Sequence, residues 1–134
     1  MFLEKNGVNA NRGNEMDQKT ILVIDDEEHV RMLYAEELRQ LGYNVACSNG
    51  DGDVLALLDE HKPDLIILDI KLENRSGLDI LQEIRCRHAA LPIVLCTAYD
   101  SFRFDLKSIA ADAYVVKSYD SSELMAKVRS LLRG

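Results

Sequence analysis

From Thr20 onward, short runs of β-branched and aliphatic residues alternate with longer segments whose apolar positions recur at helical spacing. That alternation predicts a parallel sheet covered by helices on both faces. Ile21-Leu22-Val23-Ile24 has no polar break, as a strand buried on both sides requires. Val30, Leu33, Tyr34, Leu38 and Leu41 then form one helical stripe, and Gly42 supplies a stop. Tyr43 to Ser48 is half polar and belongs at a sheet edge. Val54 to Leu58 lies in a second helix that is halted before Pro63, because proline disfavours helical backbone in the residue preceding it. Leu65-Ile66-Ile67-Leu68 is the most apolar run and is placed at the centre of the sheet.

Leu78, Leu81 and Ile84 mark a third helix starting near Ser76-Gly77. Leu91 to Cys96 reads as a fourth strand, with Pro92 near its start, where a missing donor does little harm. Ala113 to Val116 reads as a fifth strand, and Leu124, Val128, Leu131 and Leu132 form the inner stripe of a last helix. The fold class expected is α/β: a doubly wound five-stranded parallel sheet, flavodoxin-like, in the order 2-1-3-4-5. Such a sheet binds its ligand at the carboxyl ends of its strands, beside the point where the strand order reverses.

The fourth helix is the weak element. Residues 98–112 must supply a loop, a helix and a return turn, which leaves roughly eight residues for the helix, near two turns. Phe102, Leu106 and Ile109 fall on one face, while Phe104 points elsewhere, either tucked under the loop or presented to a partner.

Composition narrows the function. The chain has 134 residues, of which 47% are hydrophobic, enough for one core and too few for a second domain. Residues 1–17, with four Asn and two Gly, read as a flexible arm ahead of a folded domain over 18–134, and Met16 would itself serve as an initiator. A net charge of −7 offers no basic track for nucleic acid and suits a cation site or a basic partner. No run reaches the roughly 18 apolar residues of a membrane span. Glu4 and Lys5 interrupt any signal-peptide core, so the default location is the cytoplasm. Cys47, Cys86 and Cys96 are odd in number and lack C-x-x-C spacing, which supports neither a disulfide framework nor a zinc site.

The chemistry lies at the strand ends. The first strand ends in Asp25-Asp26, the third in Asp69, the fourth in Thr97 and the fifth in Lys117, so all five residues converge on one rim. Each has a bland reading: a helix cap for Asp25 or Asp26 with Glu28 completing a capping box, a turn aspartate, a strand threonine, a solvated lysine. Their joint placement at equivalent strand ends is harder to dismiss. Three carboxylates this close repel one another by about 4 kcal/mol per pair at an effective dielectric near 20, so a cation belongs among them. Oxygen donors without His or thiolate specify a hard ion, Mg²⁺ in preference to Ca²⁺. Phosphoryl transfer needs an in-line nucleophile and charge neutralisation. Asp69 can attack, the metal and Lys117 can neutralise, and the Thr97 hydroxyl can donate to a phosphoryl oxygen.

The run ILVIDDE, the LIILDI strand with Gly77 eight residues after Asp69, the Thr97-Ala98 pair and the stretch ADAYVVK together resemble the response-regulator receiver family, over roughly residues 20–133. The resemblance implies that Asp69 is the phosphoacceptor. It implies that Mg²⁺, with Mn²⁺ as a substitute, is held by Asp26, Asp69 and the backbone carbonyl of Lys71, with Asp25 acting through water. It makes Thr97 and Tyr114 a switch pair, adds the Ala98 backbone to the phosphate site, and places Lys71 and Tyr99 beside the path of the water that removes the phosphoryl group. Tyr114 also has a plain reading as a strand aromatic. The implied partners are a sensor histidine kinase or phosphotransfer protein and a downstream output protein or domain. A homodimer through the face of the fourth helix, fifth strand and last helix is compatible with this. Such a chain accepts a phosphoryl group and loses it again without acting as a multiple-turnover enzyme.

The chain departs from the family at Glu73 and Ser118, where proline is common, and in a slightly short interval between Thr97 and Lys117. Without proline, the Lys117–Ser118 bond is expected to be trans. Two other readings compete: a receiver-like adaptor that binds a partner without phosphorylation, and an aspartyl-phosphate phosphatase. The phosphatase would want an Asp-x-Asp start and a cap, neither of which is present, and no glycine-rich loop supports nucleotide binding.

Overall fold

The computed structural model describes residues 18–133; the arm expected over 1–17 and the initiator reading of Met16 lie outside them. Five strands, β1 (Thr20–Ile24), β2 (Asn44–Ser48), β3 (Leu65–Leu68), β4 (Ile93–Thr97) and β5 (Ala113–Val116), form one sheet. Its order is β2-β1-β3-β4-β5 and every pairing is parallel, as the alternation of runs predicts. Four α-helices cover it: α1 (Glu28–Gln40), α2 (Val54–His61), α3 (Gly77–Arg87) and α4 (Ser122–Leu132). Because side chains alternate across a strand, each face of the sheet has its own core. Leu22, Ile66 and Leu95 pack with Leu58 of α2 and Leu81 of α3, while Ile21, Ile67 and Val94 pack with Leu38 of α1 and Val128 of α4. β3 is fully buried and β2 is the half-exposed edge. Among the described residues, no helix is long and apolar enough to cross a membrane.

Helix starts follow local side-chain chemistry at α2 and α3. Asp53 accepts from the Ala56 amide at 3.1 Å and Ser76 from the Leu78 amide at 3.1 Å, each satisfying a donor that the first turn leaves free. α1 is different. Its first residue is preceded by Glu27, whose side chain makes no cap, and Asp25 Oδ1 accepts from the Glu27 amide at 2.9 Å ahead of the helix. The capping-box reading of Asp25-Asp26 with Glu28 is therefore not built, and the second oxygen of Asp25 is turned to the rim.

Two expectations about buried stripes need correction. On α1, Leu33 and Leu41 are 51% and 40% exposed, and the buried line is Tyr34, Ala35 and Leu38. Several combinations of i+3 and i+4 steps share the same residues, and docking against β1 and β4 selects the one centred on Tyr34 and Leu38. In the expected place of a fourth α-helix stands a 3-10 helix, Leu106–Ala110, so that element is short and irregular as its length requires. Ile109, expected inside, is 71% exposed, and Phe104 is 91% exposed instead of tucked under the loop. At three residues per turn, side chains three apart eclipse, so Ser108 and Ala111 take the inner edge that a 3.6-residue period would have given to Ile109. Arg85 fastens this segment: its guanidinium donates to the Ala110 carbonyl at 2.8 Å and to Asp112 Oδ2 at 2.9 Å. There is no cis peptide among the described residues, so the Lys117–Ser118 bond is trans.

Candidate functional site

The ladder of the sheet continues one residue past the strand ends and fixes the backbone of the rim. The Asp25 amide donates to the Ser48 carbonyl at 3.1 Å, the Asp69 amide to the Ile24 carbonyl at 2.9 Å and the Lys117 amide to the Thr97 carbonyl at 2.7 Å. Side chains at these positions leave the sheet together. Carboxylate oxygens of Asp25, Asp26 and Asp69 lie within 4.8 Å of one another. Asp25 and Asp69 are buried and Asp26 is half-buried.

Lys117 is the internal counter-ion. Its Nζ stands 2.8 Å from Asp25 Oδ2, 3.1 Å from Asp69 Oδ2 and 3.7 Å from Glu27 Oε1. Burial alone would lower the Lys117 pKa, but the hydrogen bond to Asp25 and the charges of Asp69 and Asp25 raise it well above that of a free lysine. The ammonium is therefore a fixed positive charge. Asp69 is pushed above the usual carboxylate range, first by burial and then by Asp25, against the opposing pull of Lys117. One ammonium against Asp25, Asp26 and Asp69 leaves net negative charge in an all-oxygen donor set, which fits a hard divalent cation.

The loop after Asp69 is tightly constrained. Lys71 and Ser76 form an antiparallel bridge, and the Gly77 amide donates to the Ile70 carbonyl at 2.6 Å. A Cβ at Gly77 would sit 1.9 Å from the Asp69 carbonyl oxygen, so only glycine lets α3 start this close to the acceptor. Facing this loop, Tyr99 and Phe102 stand edge to face at 6.4 Å, with Lys71 Nζ 4.8 Å and 5.8 Å from their ring centres. Asp26, Glu27, Asp69, Lys71, Ala98, Tyr99 and Lys117 line one shallow pocket of about 280 Å³.

Of the residues singled out in the sequence, Asp25, Thr97 and Tyr114 do not line that pocket, although Asp25 stands beside it through Lys117. Thr97 is fully buried, and its Oγ1 has no partner among the described residues. Tyr114, half-buried, donates its hydroxyl to the Tyr99 carbonyl. Glu27 also lies at the mouth, and its only signal in the sequence is its place as the third acid of ILVIDDE. Cys96 belongs to the core under α1, 3.6 Å from the Tyr34 hydroxyl, and burial pushes its thiol up to about 11. Cys47 and Cys86 are exposed free thiols.

A doubly wound parallel sheet with an acidic triad and a paired lysine at the carboxyl ends of its strands defines a domain of the flavodoxin-like α/β class. Within it, the family model for the response regulator receiver domain matches residues 21–129, and the chain belongs to that family. It is the receiver domain of a two-component response regulator. It is 33% identical over 116 residues, 85% of its length, to the probable transcriptional regulatory protein TcrX of Mycobacterium tuberculosis, and it spans about half the length of that relative. Among solved structures it resembles the response regulator TrrA of Thermotoga maritima in complex with Mg²⁺-BeF, at 43% identity and a TM-score of 0.82, covering 86% of this chain and all of that one. TrrA bound to the histidine kinase ThkA matches at 43% identity and a TM-score of 0.79, over 86% of this chain and 99% of that one.

Proposed function

We propose that the domain receives a phosphoryl group on Asp69 from a histidine kinase or phosphotransfer protein and passes the change to an output protein or domain. The observation that carries this reading is Asp69 itself: a buried carboxylate at the mouth of an open pocket, 3.1 Å from a fixed ammonium and beside two further carboxylates. A carboxylate oxygen of Asp69 attacks phosphorus in line; the P–N bond of a phosphohistidine breaks and its electron pair leaves with the imidazole. Lys117 moves its charge from Asp69 to a phosphoryl oxygen. The Thr97 hydroxyl, without a partner in the buried wall, gains one there, and the Ala98 amide adds a backbone donor. Asp26, Asp69 and the Lys71 carbonyl would hold Mg²⁺ directly and Asp25 through water, and the ion neutralises charge on the transferring group when bound. Occupation of Thr97 draws the loop that ends on Tyr114, so a local charge event alters the face of β5 and α4. The likeness to TrrA, solved both with Mg²⁺-BeF and with a kinase, supports the donor and the ion. The domain accepts once per cycle and hydrolyses its own acyl phosphate, so it is no enzyme toward external substrates.

Intact-mass measurement after incubation with a small phosphodonor tests the proposal. The chain is expected to gain one base-labile phosphoryl group with Mg²⁺ or Mn²⁺, none in chelator and none in Asp69→Asn. Equal labelling in chelator, or full labelling of Asp69→Asn, overturns it.

A further inference from the structure

The loop that follows Thr97 holds Tyr114 at two points. The Tyr99 carbonyl accepts from the Tyr114 hydroxyl, and the guanidinium carbon of Arg103 lies 4.8 Å from the centre of the Tyr114 ring. Arg103 is itself oriented. Its Nε donates to Asp100 Oδ1 at 2.7 Å and its amide to the Asp100 carbonyl at 3.1 Å. The ring also packs against the core that contains Leu95, its register partner on β4. Core contact, carbonyl and cation together fix one ring position, and two of the three come from the loop between Thr97 and the 3-10 helix.

We propose that Arg103, oriented by Asp100, is a positioning residue for the Tyr114 switch: it keeps the ring against the loop after Thr97, so that ring and loop move as one body. This rests on the reading of Thr97 and Tyr114 as the responding pair. A guanidinium over an aromatic face is attracted by the ring quadrupole, and a planar cation stacks where an ammonium would only touch. Without Arg103 the loop keeps only the hydroxyl bond, which water can replace. A displacement of Ala98 and Tyr99 toward a phosphoryl oxygen then no longer commits the ring. The same Tyr99 carries Lys71 over its ring, so the loop that Arg103 fastens lies between the acceptor loop and Tyr114.

Beryllofluoride with Mg²⁺ is the probe, and the full chain is compared with Arg103→Ala, Tyr114→Leu and the double variant. Arg103→Ala is expected to weaken beryllofluoride binding about two- to fivefold, the range of an exposed cation–π contact. It should also shift and broaden the Tyr114 ring resonances. Asp100→Asn should move both readouts the same way by less. In the Tyr114→Leu background, Arg103→Ala should change affinity no further, an outcome that a general loss of stability would not produce. An unchanged ring signal, or an equal loss of affinity in both backgrounds, overturns the inference. Failure of the wild-type chain to bind beryllofluoride would instead sink the phosphoacceptor reading, and the ring resonances of the unmodified protein would still decide the role of Arg103.

Discussion

The two loops that face each other across the pocket differ in what fixes them beside the site. The loop from Asp69 to Gly77 is held by its own backbone: a bridge between Lys71 and Ser76, an amide bond from Gly77 to Ile70, and a helix start so near that no Cβ fits. The segment from Tyr99 to Asp112 is tied to the rest of the domain by side chains, with Arg85 reaching in to Ala110 and Asp112, and its own Lys107 and Arg103 reaching out to Asp79 and Tyr114. The difference matches the division of labour proposed above. A nucleophile must keep its place within a fraction of an ångström, whereas a responding segment must have a second arrangement within reach.

The strongest way to break the contrast is at Gly77. A methyl group 1.9 Å from the Asp69 carbonyl oxygen forces backbone to move, since the opposing atom is not the end of a flexible side chain. Gly77→Ala is expected to lower stability by about 3 kcal/mol or more, at or above the top of the usual overpacking range. Urea denaturation measures it, and a loss under 1 kcal/mol would show the acceptor loop to be compliant.

Much of this architecture was legible beforehand, and the reasons differ between the two sides. β3 and β4 announce themselves because a strand buried on both faces admits no polar residue, and Asp69 and Thr97 are conspicuous as the first or last breaks in such runs. The close approach at Gly77 was not legible. Its spacing from Asp69 was, but nothing in the sequence states that a carbonyl lies where its Cβ would go. The burial of Ser108 and the exposure of Ile109 were hidden for another reason, that a period of three cannot be told from one of 3.6 over five residues. Leu33 shows the same limit in a longer helix, where the register of docking decides between overlapping stripes.

A second prediction sharpens the electrostatic half of the comparison. Asp26 is the least buried of the three carboxylates and Lys117 is nearer to Asp25 and Asp69. Asp26→Asn should therefore relieve repulsion and raise stability without metal by about 1 kcal/mol. It should also remove the stabilisation expected of Mg²⁺ binding to the wild-type chain, about 2.7 kcal/mol at one hundred times the dissociation constant. Thermal melts with and without Mg²⁺ read both effects. A variant that still responds fully to Mg²⁺ would remove Asp26 from the ligand set.

Lifetime of the phosphoryl group follows next. Lys71 Nζ lies over the Tyr99 and Phe102 rings, and Lys71 and Tyr99 both line the pocket, where they are proposed to shield the phosphoryl group from water. The double variant Lys71→Asn, Tyr99→Glu should lose its phosphoryl group faster than wild type, by roughly tenfold if the barrier falls by about 1.4 kcal/mol. A decay time course of the labelled proteins settles the order, and slower loss in the variant would contradict the shielding.

The smallest effects lie on the segment itself, where two neighbours carry opposite defects. Ser108 is buried and its hydroxyl has no partner among the described residues, while Ile109 and Phe104 expose apolar surface. An unpaired buried hydroxyl costs free energy that a methyl group does not, so Ser108→Ala should stabilise the domain by about 0.5 to 1 kcal/mol. Phe104→Ser and Ile109→Ser remove no buried contact and should change stability by less than about 0.5 kcal/mol in either direction. If the segment were a conventionally packed helix the order would reverse, because the inward apolar residue would carry the burial and the serine would be on the surface. Denaturant midpoints for the three variants therefore test the 3-10 geometry directly. A loss of about 2 kcal/mol or more in Ile109→Ser, the magnitude of a truncated core side chain, would mean that Ile109 packs inward after all.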